Sequence, residues 1–266
     1  MTPRIGFSTL GCPEWPLAEA LSRGEELGFD TFTLRVADGR LIALDEPPAE
    51  LRRLRKLIAK STLVPETLAT SVRLLDDNAV HQLAVSLRMA STLGFERVRV
   101  FGGHRPARLS RTESAQRAAN TVDDCLQLAD DLAVGIALET HDAMSAASAV
   151  DDILRLVTHP RFGGIWDVVH TSHAGDRVED AWRTLGTRLV EIQVKDATPA
   201  ANGTMHPTLL GQGVVDWAGA VRLALGDGFD GSLVLEWERF WHPDIPPAEV
   251  ALPHDRTQLM AVLNSR

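Results

Sequence analysis

The chain has 266 residues, enough for one large core and too many for a small disulfide-stapled module. Hydrophobic residues make up 44% and charged residues 24%, which excludes a disordered or fibrous chain. Acidic residues outnumber basic ones 36 to 27, and the net charge of -9 speaks against a nucleic-acid partner. The densest basic run, Arg52, Arg53, Arg55 and Lys56, is interrupted by Leu51, Leu54 and Leu57, the spacing of an amphipathic helix. Cys12 and Cys125 are far apart and form no CxxC, so the chain reads as cytoplasmic and free of disulfides. Pro13, Glu14 and Pro16 break any secretory pattern, and no apolar run is long enough to cross a bilayer.

One pattern recurs in chain order: a short apolar, β-branched run, a loop, then a segment of helical period. The first unit pairs Ile5–Leu10 with a helix over Leu17–Leu27. The second pairs Thr31–Arg35 with a helix opening after Pro47 and Pro48, where proline fits a helix start. A strand over Leu63–Thr70 precedes a helix over Asn78–Leu93. Val98–Phe101, closed by Gly102 and Gly103, precedes a long helix over Thr112–Leu132. Val134–Glu139 is followed by a helix over Ser145–Leu156, and Gly164–Val168 by one near Val178–Leu185. Leu189–Lys195 leads into a long loop holding Asn202-Gly203 and Gly211-Gln212-Gly213, then a helix over Asp216–Leu225. Ser232–Trp237 ends the series, with a Pro-rich loop at 241–247 and a last helix over Pro247–Leu263. Eight such units without a composition break predict a single (β/α)8 TIM barrel spanning 1–266. A doubly wound sheet would prefer a Gly-rich first turn, and Gly11-Cys12-Pro13 is not one.

Barrel enzymes place their chemistry at the C-terminal ends of strands. Those ends carry Arg35, Arg99, Glu139, Asp167, Gln193, Lys195 and Glu236. Alternation along a strand sets Ile136 and Leu138 on the face away from Glu139, and Ile192 and Val194 away from Gln193 and Lys195. The same alternation turns Asp167, Glu236, Arg99 and Arg35 into the barrel. Three carboxylates and an amide at one mouth call for a cation, because like charges at short range force proton uptake. The expected ligands are Glu139, Asp167, Gln193 and Glu236, and an all-oxygen set suits one divalent ion, Mg²⁺ or Mn²⁺.

At these residues the chain resembles the xylose isomerase-like TIM-barrel superfamily of sugar isomerases and epimerases. The matching segments are Ile136-Ala137-Leu138-Glu139-Thr140, Trp166-Asp167-Val168-Val169-His170, Ile192-Gln193-Val194-Lys195-Asp196, Leu210-Gly211-Gln212-Gly213 and Leu235-Glu236. The family binds its metal through Glu, Asp, His and Glu, which map to Glu139, Asp167, Gln193 and Glu236. Gln193 stands where His is usual, as it also does in the dehydroshikimate dehydratase branch. The resemblance implies proton transfer by Glu139 and Glu236 on opposite faces of a ketose-like polyol, through an enediolate that the metal stabilises. It also implies that His170 bonds a substrate oxygen. Lys195 is expected to donate to a substrate oxygen or to pair with Asp196 or Glu191. Arg99, His104, His173 and His206 are candidates for substrate binding, and Trp15 and Trp241 for an apolar wall.

The first functional expectation is therefore a metal-dependent sugar isomerase or epimerase. The alternative is a lyase of the 3-dehydroshikimate, inosose or 3-keto-glycoside type, in which the same base acts and a hydroxyl leaves; Gln193 favours it. Phosphodiester cleavage, known on this fold, needs several metals with many His ligands and a basic face, and neither is evident in the sequence. No Gly-rich phosphate cradle is evident in the seventh and eighth loops, so an unphosphorylated small molecule is the expected partner. Neither nucleic acid nor a membrane is expected, and assembly into a homo-oligomer is left open.

Overall fold

The computed structural model describes residues 3–36 and 43–265. Eight parallel strands close into a barrel: β1 (Arg4–Ser8), β2 (Thr31–Arg35), β3 (Val64–Arg73), β4 (Arg97–Phe101), β5 (Gly135–Glu139), β6 (Phe162–Asp167), β7 (Leu189–Val194) and β10 (Ser232–Leu235). They follow one another around the wall in chain order, and β10 closes on β1 with Ile5 opposite Leu233 and Phe7 opposite Leu235. The outer ring comprises α1 (Leu17–Glu26), α2 (Pro48–Ile58), α3 (Ala79–Leu93), α4 (Arg111–Asp131), α5 (Ala147–Leu156), α7 (Val178–Leu185), α8 (Trp217–Gly226) and α9 (Ala248–Asn264). No described helix is long and apolar enough to cross a membrane.

The alternation read from the sequence sets the core. Phe7, Phe32, Ile136, Leu138, Ile192 and Leu233 are fully or almost fully buried. Phe32 meets Phe95 edge-on at 5.4 Å, and Phe7 meets Phe29 at 5.0 Å. Burying side chains of this size contributes about 1.5–3 kcal/mol each and fixes which face of each strand turns outward.

Three local expectations need correction. Val168 belongs not to β6 but to α6 (Val168–His173), a short helix the apolar run concealed. The side chain of Asp167 decides this by accepting hydrogen bonds from the Val169 and His170 amides at 2.8 and 3.0 Å, capping the helix where the strand ends. The stretch after β7 is not a plain loop: β8 (Asp196–Pro199) and β9 (Met205–Thr208) form an antiparallel hairpin. Pro199 and Pro207 hide it, because proline removes ladder donors and is tolerated only at such edges. The long helix begins at Arg111 rather than Thr112, because Ser110 and Glu113 form a reciprocal capping box.

The end of the barrel opposite the mouth is filled by charge. Glu66 and Glu191 are wholly buried there. Glu66 pairs with Arg4 at 2.5 Å and Arg97 at 3.0 Å and also accepts from the Ser232 hydroxyl. Glu191 accepts from Thr67 at 2.6 Å, while Arg97 stays 4.0 Å away. Burial, reinforced by Glu66, pushes the Glu191 carboxyl up to about 7. A carboxyl raised on folding gives stability that is present below its unfolded pKa and lost as pH rises through its folded value. Between pH 4.5 and 7 this group should remove on the order of 3 kcal/mol of stability. Glu191→Gln should abolish that slope in urea unfolding at a series of pH values; an unchanged slope would show that Glu191 titrates normally.

Candidate active site

The mouth of the barrel collects side chains from five strands. Arg99 lies on β4, Glu139 and Asp167 end β5 and β6, Gln193 lies on β7, and Lys195 and Glu236 directly follow β7 and β10. All six are buried. Strand pairing sets their heights, with Phe101 opposite Glu139, Asp167 opposite Gln193 and Leu235 opposite Val194.

Carboxylates and cations interlock here. Glu139 pairs with Arg99 Nη1 at 2.5 Å and accepts from Gln193 Nε2 at 3.0 Å. Gln193 Nε2 also donates to Glu236 at 3.3 Å, while its Oε1 is buried with no hydrogen-bond donor among the described residues. The Lys195 ammonium lies 2.5 Å from Asp167 Oδ2, 2.7 Å from Glu236 Oε2 and 2.5 Å from Glu238 Oε1. Its partners are thus neither Asp196 nor Glu191.

The same contacts set the protonation states. Burial opposes ionisation of Glu139, but Arg99 and then His141 outweigh it and hold this carboxyl below its usual range. Asp167 is likewise held low against burial by His170 and Lys195. Burial dominates at Glu236, which Lys195 only partly offsets, and its pKa rises. Burial works against the Lys195 ammonium too, yet Asp167, Glu236 and Glu238 raise its pKa well above the ordinary value.

Two functional candidates escaped the sequence reading. His141 packs its ring on Phe101 at 4.1 Å and meets His170 edge-on at 4.4 Å. Glu238 completes the carboxylates around Lys195. The signal was available: Glu139-Thr-His141 and Glu236-Trp-Glu238 repeat the two-residue alternation just past a strand end. His170, on the first turn of α6, has Nε2 3.6 Å from Asp167 Oδ2.

Other candidates stand apart from the carboxylates. His104 is exposed on the loop after β4, and His173 is exposed on the last turn of α6. His206, on β9, lies 3.6 Å from Asp244 and meets His242 edge-on at 5.5 Å. Arg35 donates to the Ala69 carbonyl at 3.0 Å and to Ser71 at 2.8 Å. Trp15 is buried and bonded to Glu249 at 2.9 Å, which makes it packing; Trp241 is half exposed beside Phe240.

The seventh loop is held from inside. Asp196 accepts hydrogen bonds from the Gly211 and Gly213 amides, both at 2.9 Å, and from Val215 at 3.1 Å. Gly211 has φ +86°, and a Cβ on Gly213 would fall 2.1 Å from the Asp196 carboxylate, so the Leu210-Gly211-Gln212-Gly213 segment needs both glycines.

Which residues fit a metal follows from this geometry. Ligand atoms of Glu139, Asp167 and Glu236 lie within 4.8 Å of one another. Glu139, Asp167, Glu236 and Glu238 face two fixed cations, Lys195 and Arg99, which leaves two negative charges, the charge of one divalent ion. The unpartnered Gln193 Oε1 is a further oxygen donor, and turning it toward the carboxylates gives up the two hydrogen bonds that Nε2 makes to Glu139 and Glu236.

A closed parallel barrel with carboxylates gathered at its strand ends defines a TIM barrel with a group of residues that could hold a metal ion. The family model for the xylose isomerase-like TIM barrel matches residues 21–256, and the chain belongs to that family. Solved structures agree on the fold. The IOLI protein with a binding zinc atom is 17% identical, with a TM-score of 0.79 and 98% of each chain covered. A D-tagatose 3-epimerase-like protein is 16% identical, with a TM-score of 0.76, covering 98% of this chain and 97% of its own. The probable 3-DHS dehydratase AsbF from Bacillus anthracis is 19% identical, with a TM-score of 0.75, covering 97% and 98%. No curated protein matches the sequence closely enough to lend it an activity.

Proposed function

We propose that the chain is a divalent-metal-dependent sugar isomerase or epimerase that moves a proton at the carbon beside the carbonyl of a small polyol. The carrying observation is the buried cluster at the strand ends, in which ligand atoms of Glu139, Asp167 and Glu236 lie within 4.8 Å of one another; within it Arg99 holds the Glu139 carboxyl low while burial pushes that of Glu236 up. Environments that split two carboxyls in this way suit one as base and the other as acid. Glu139, Asp167 and Glu236 would hold the ion, with Gln193 as fourth ligand once its amide turns Oε1 toward them. Bound there, Mn²⁺ or Mg²⁺ supplies electrophilic polarisation of a carbonyl and its neighbouring hydroxyl. Glu139 then takes the proton from carbon and Glu236 returns one on the other face. Lys195 and His170 donate to substrate oxygens, and Arg99 keeps Glu139 ionised and oriented. The more distant His104, His173 and His206 would meet only the outer part of a substrate.

The substrate is proposed to be unphosphorylated. Barrel enzymes often bind phosphate at the seventh and eighth loops. Here the amides of Gly211 and Gly213 are already spent on Asp196, whose own charge would repel a phosphate. A lyase is the second reading. It is favoured by Gln193 and by the paired imidazoles of His141 and His170, either of which could protonate a departing hydroxyl.

Incubating the Mn²⁺-loaded protein in D2O with ketoses, inososes and 3-dehydroshikimate, followed by proton NMR, tests both. New sugar signals, with deuterium beside the carbonyl, are the expected result. An alkene or aromatic product would establish the lyase instead. Bound metal without turnover of any compound overturns the substrate class, and failure to bind metal overturns the site.

A further inference from the structure

Lys195 lies against the very oxygens assigned above to an ion. Asp167 turns Oδ1 to the Val169 and His170 amides, at 2.8 and 3.0 Å, which leaves Oδ2 as its oxygen for an ion. That Oδ2 lies 2.5 Å from the Lys195 ammonium, and Glu236 Oε2 lies 2.7 Å from it. An ammonium at this range leaves no room for a small divalent ion on the same oxygens, because two cations in contact repel one another. Of the three carboxylates around Lys195, only Glu238 stands outside the group of Glu139, Asp167 and Glu236. We propose that Lys195 competes with the ion for Asp167 Oδ2 and Glu236 Oε2, and that Glu238 is the carboxylate to which the ammonium withdraws when the ion binds. The inference rests on the metal-dependent reading above and gives Glu238 a positioning role within it.

The chain around Glu238 holds it ready for that role. Along Glu236-Trp237-Glu238 the two acids fall on one side of the backbone and the tryptophan on the other. Trp237 is buried, and its indole donates to the Pro246 carbonyl at 2.9 Å. Arg239 donates to the Pro243 and Ile245 carbonyls and to Glu14 at 3.0 Å. Both neighbours of Glu238 are thereby tied to the Pro-rich loop at 241–247, which fixes this carboxylate in place. Glu238 Oε1 lies 2.5 Å from the ammonium, while Oε2 faces His242 Nε2 at 3.8 Å. Its side chain is 21% exposed, against 4% for Glu236 and none for Asp167, which sets it toward solvent from Lys195.

The withdrawal is short and leaves the charge count intact. Lysine is a compact charge with three donors on a flexible stem, so it changes partners without moving the backbone. It stays charged beside Glu238, and the mouth still offers the two unbalanced negative charges that match one divalent ion. Away from Asp167 and Glu236, its remaining N–H groups are free for substrate oxygens. Without Glu238 the displaced ammonium would stand unpaired in a buried site, which opposes entry of the ion.

The test is the Mn²⁺ affinity of the full chain, stripped with chelator and titrated under paramagnetic resonance, in a double-mutant cycle. Lys195→Gln removes the competitor and should tighten Mn²⁺ binding about tenfold, within the coupling range of contacting residues. Glu238→Gln removes the acceptor and should weaken binding about tenfold in wild type, but by about twofold or less in the Lys195→Gln background. Lys195→Met, checked like the others by circular dichroism, is the second neutral variant should the glutamine disturb folding. A Glu238→Gln loss that is equal in both backgrounds would reduce Glu238 to a plain field effect and overturn the withdrawal, leaving the metal site standing. Neutral variants of Lys195 that bind Mn²⁺ no more tightly than wild type would overturn the competition. No Mn²⁺ bound by wild type or by any variant would overturn the metal-dependent reading itself.

Discussion

Lys195→Met is expected to destabilise the metal-free protein by about 3–5 kcal/mol, the usual cost of stripping a buried charge of its partner. The ammonium stands within 2.7 Å of three carboxylates, Asp167, Glu236 and Glu238, and its removal leaves them facing one another at the mouth. The deficit should depend on pH with a definite sign. Lys195 helps to hold the Asp167 and Glu238 carboxyls below their usual range. Carboxyls depressed on folding give stability that is present above the unfolded pKa and lost as pH falls through the folded value. The variant should therefore trail wild type most at pH 8 and least in acid. Added Mn²⁺ should narrow the gap at pH 8, because an ion that binds only the folded state adds its binding free energy to stability. Urea unfolding with chelator or Mn²⁺, at pH 5 and pH 8, measures all of this. A variant as stable as wild type at pH 8 in chelator would show that Lys195 does not neutralise the cluster.

Glu236→Gln should separate activity from stability. On any substrate that the NMR panel identifies, kcat is expected to fall about 10²- to 10⁴-fold, the range for loss of a general acid or base. Stability should not fall with it. Burial pushes the Glu236 carboxyl up, so its stability contribution is present below the unfolded pKa and is lost as pH rises through the raised folded value. Above the unfolded pKa the raised carboxyl is therefore a cost to folding, and the neutral amide removes it while keeping the shape. Thermal unfolding at pH 8 should give a Tm equal to or above that of wild type. A kcat within threefold of wild type would remove Glu236 from the proton-transfer step. A large loss of Tm would mean that its ion pair with Lys195 outweighs its burial.

Both variants show where sequence reasoning was enough and where it was not. Alternation along a strand is a local property, so it placed Glu139, Asp167, Gln193 and Glu236 on the inward face without reference to any other strand. Helix boundaries were read well where proline or apolar period marks them, as at Pro48 and over Val178–Leu185. They were missed where a side chain makes the decision, as when Asp167 converts two β-branched residues into the first turn of α6.

The order of units, and hence the barrel, was determined by the sequence itself, because hydrophobic period and turn residues act over a few neighbours. So was the set of polar residues at the strand ends. What the tertiary structure alone decided is which charge meets which. Lys195 could have paired with neighbouring Asp196 or with Glu191 on its own strand. It pairs instead with Asp167, Glu236 and Glu238, carried to it by β6 and β10, while Asp196 turns away to bind the amides of the seventh loop. The meeting of His141 with His170 has the same origin. These contacts depend on closure of the barrel, which brings residues from separate strands to one height at the mouth, where burial makes their charges act strongly on one another.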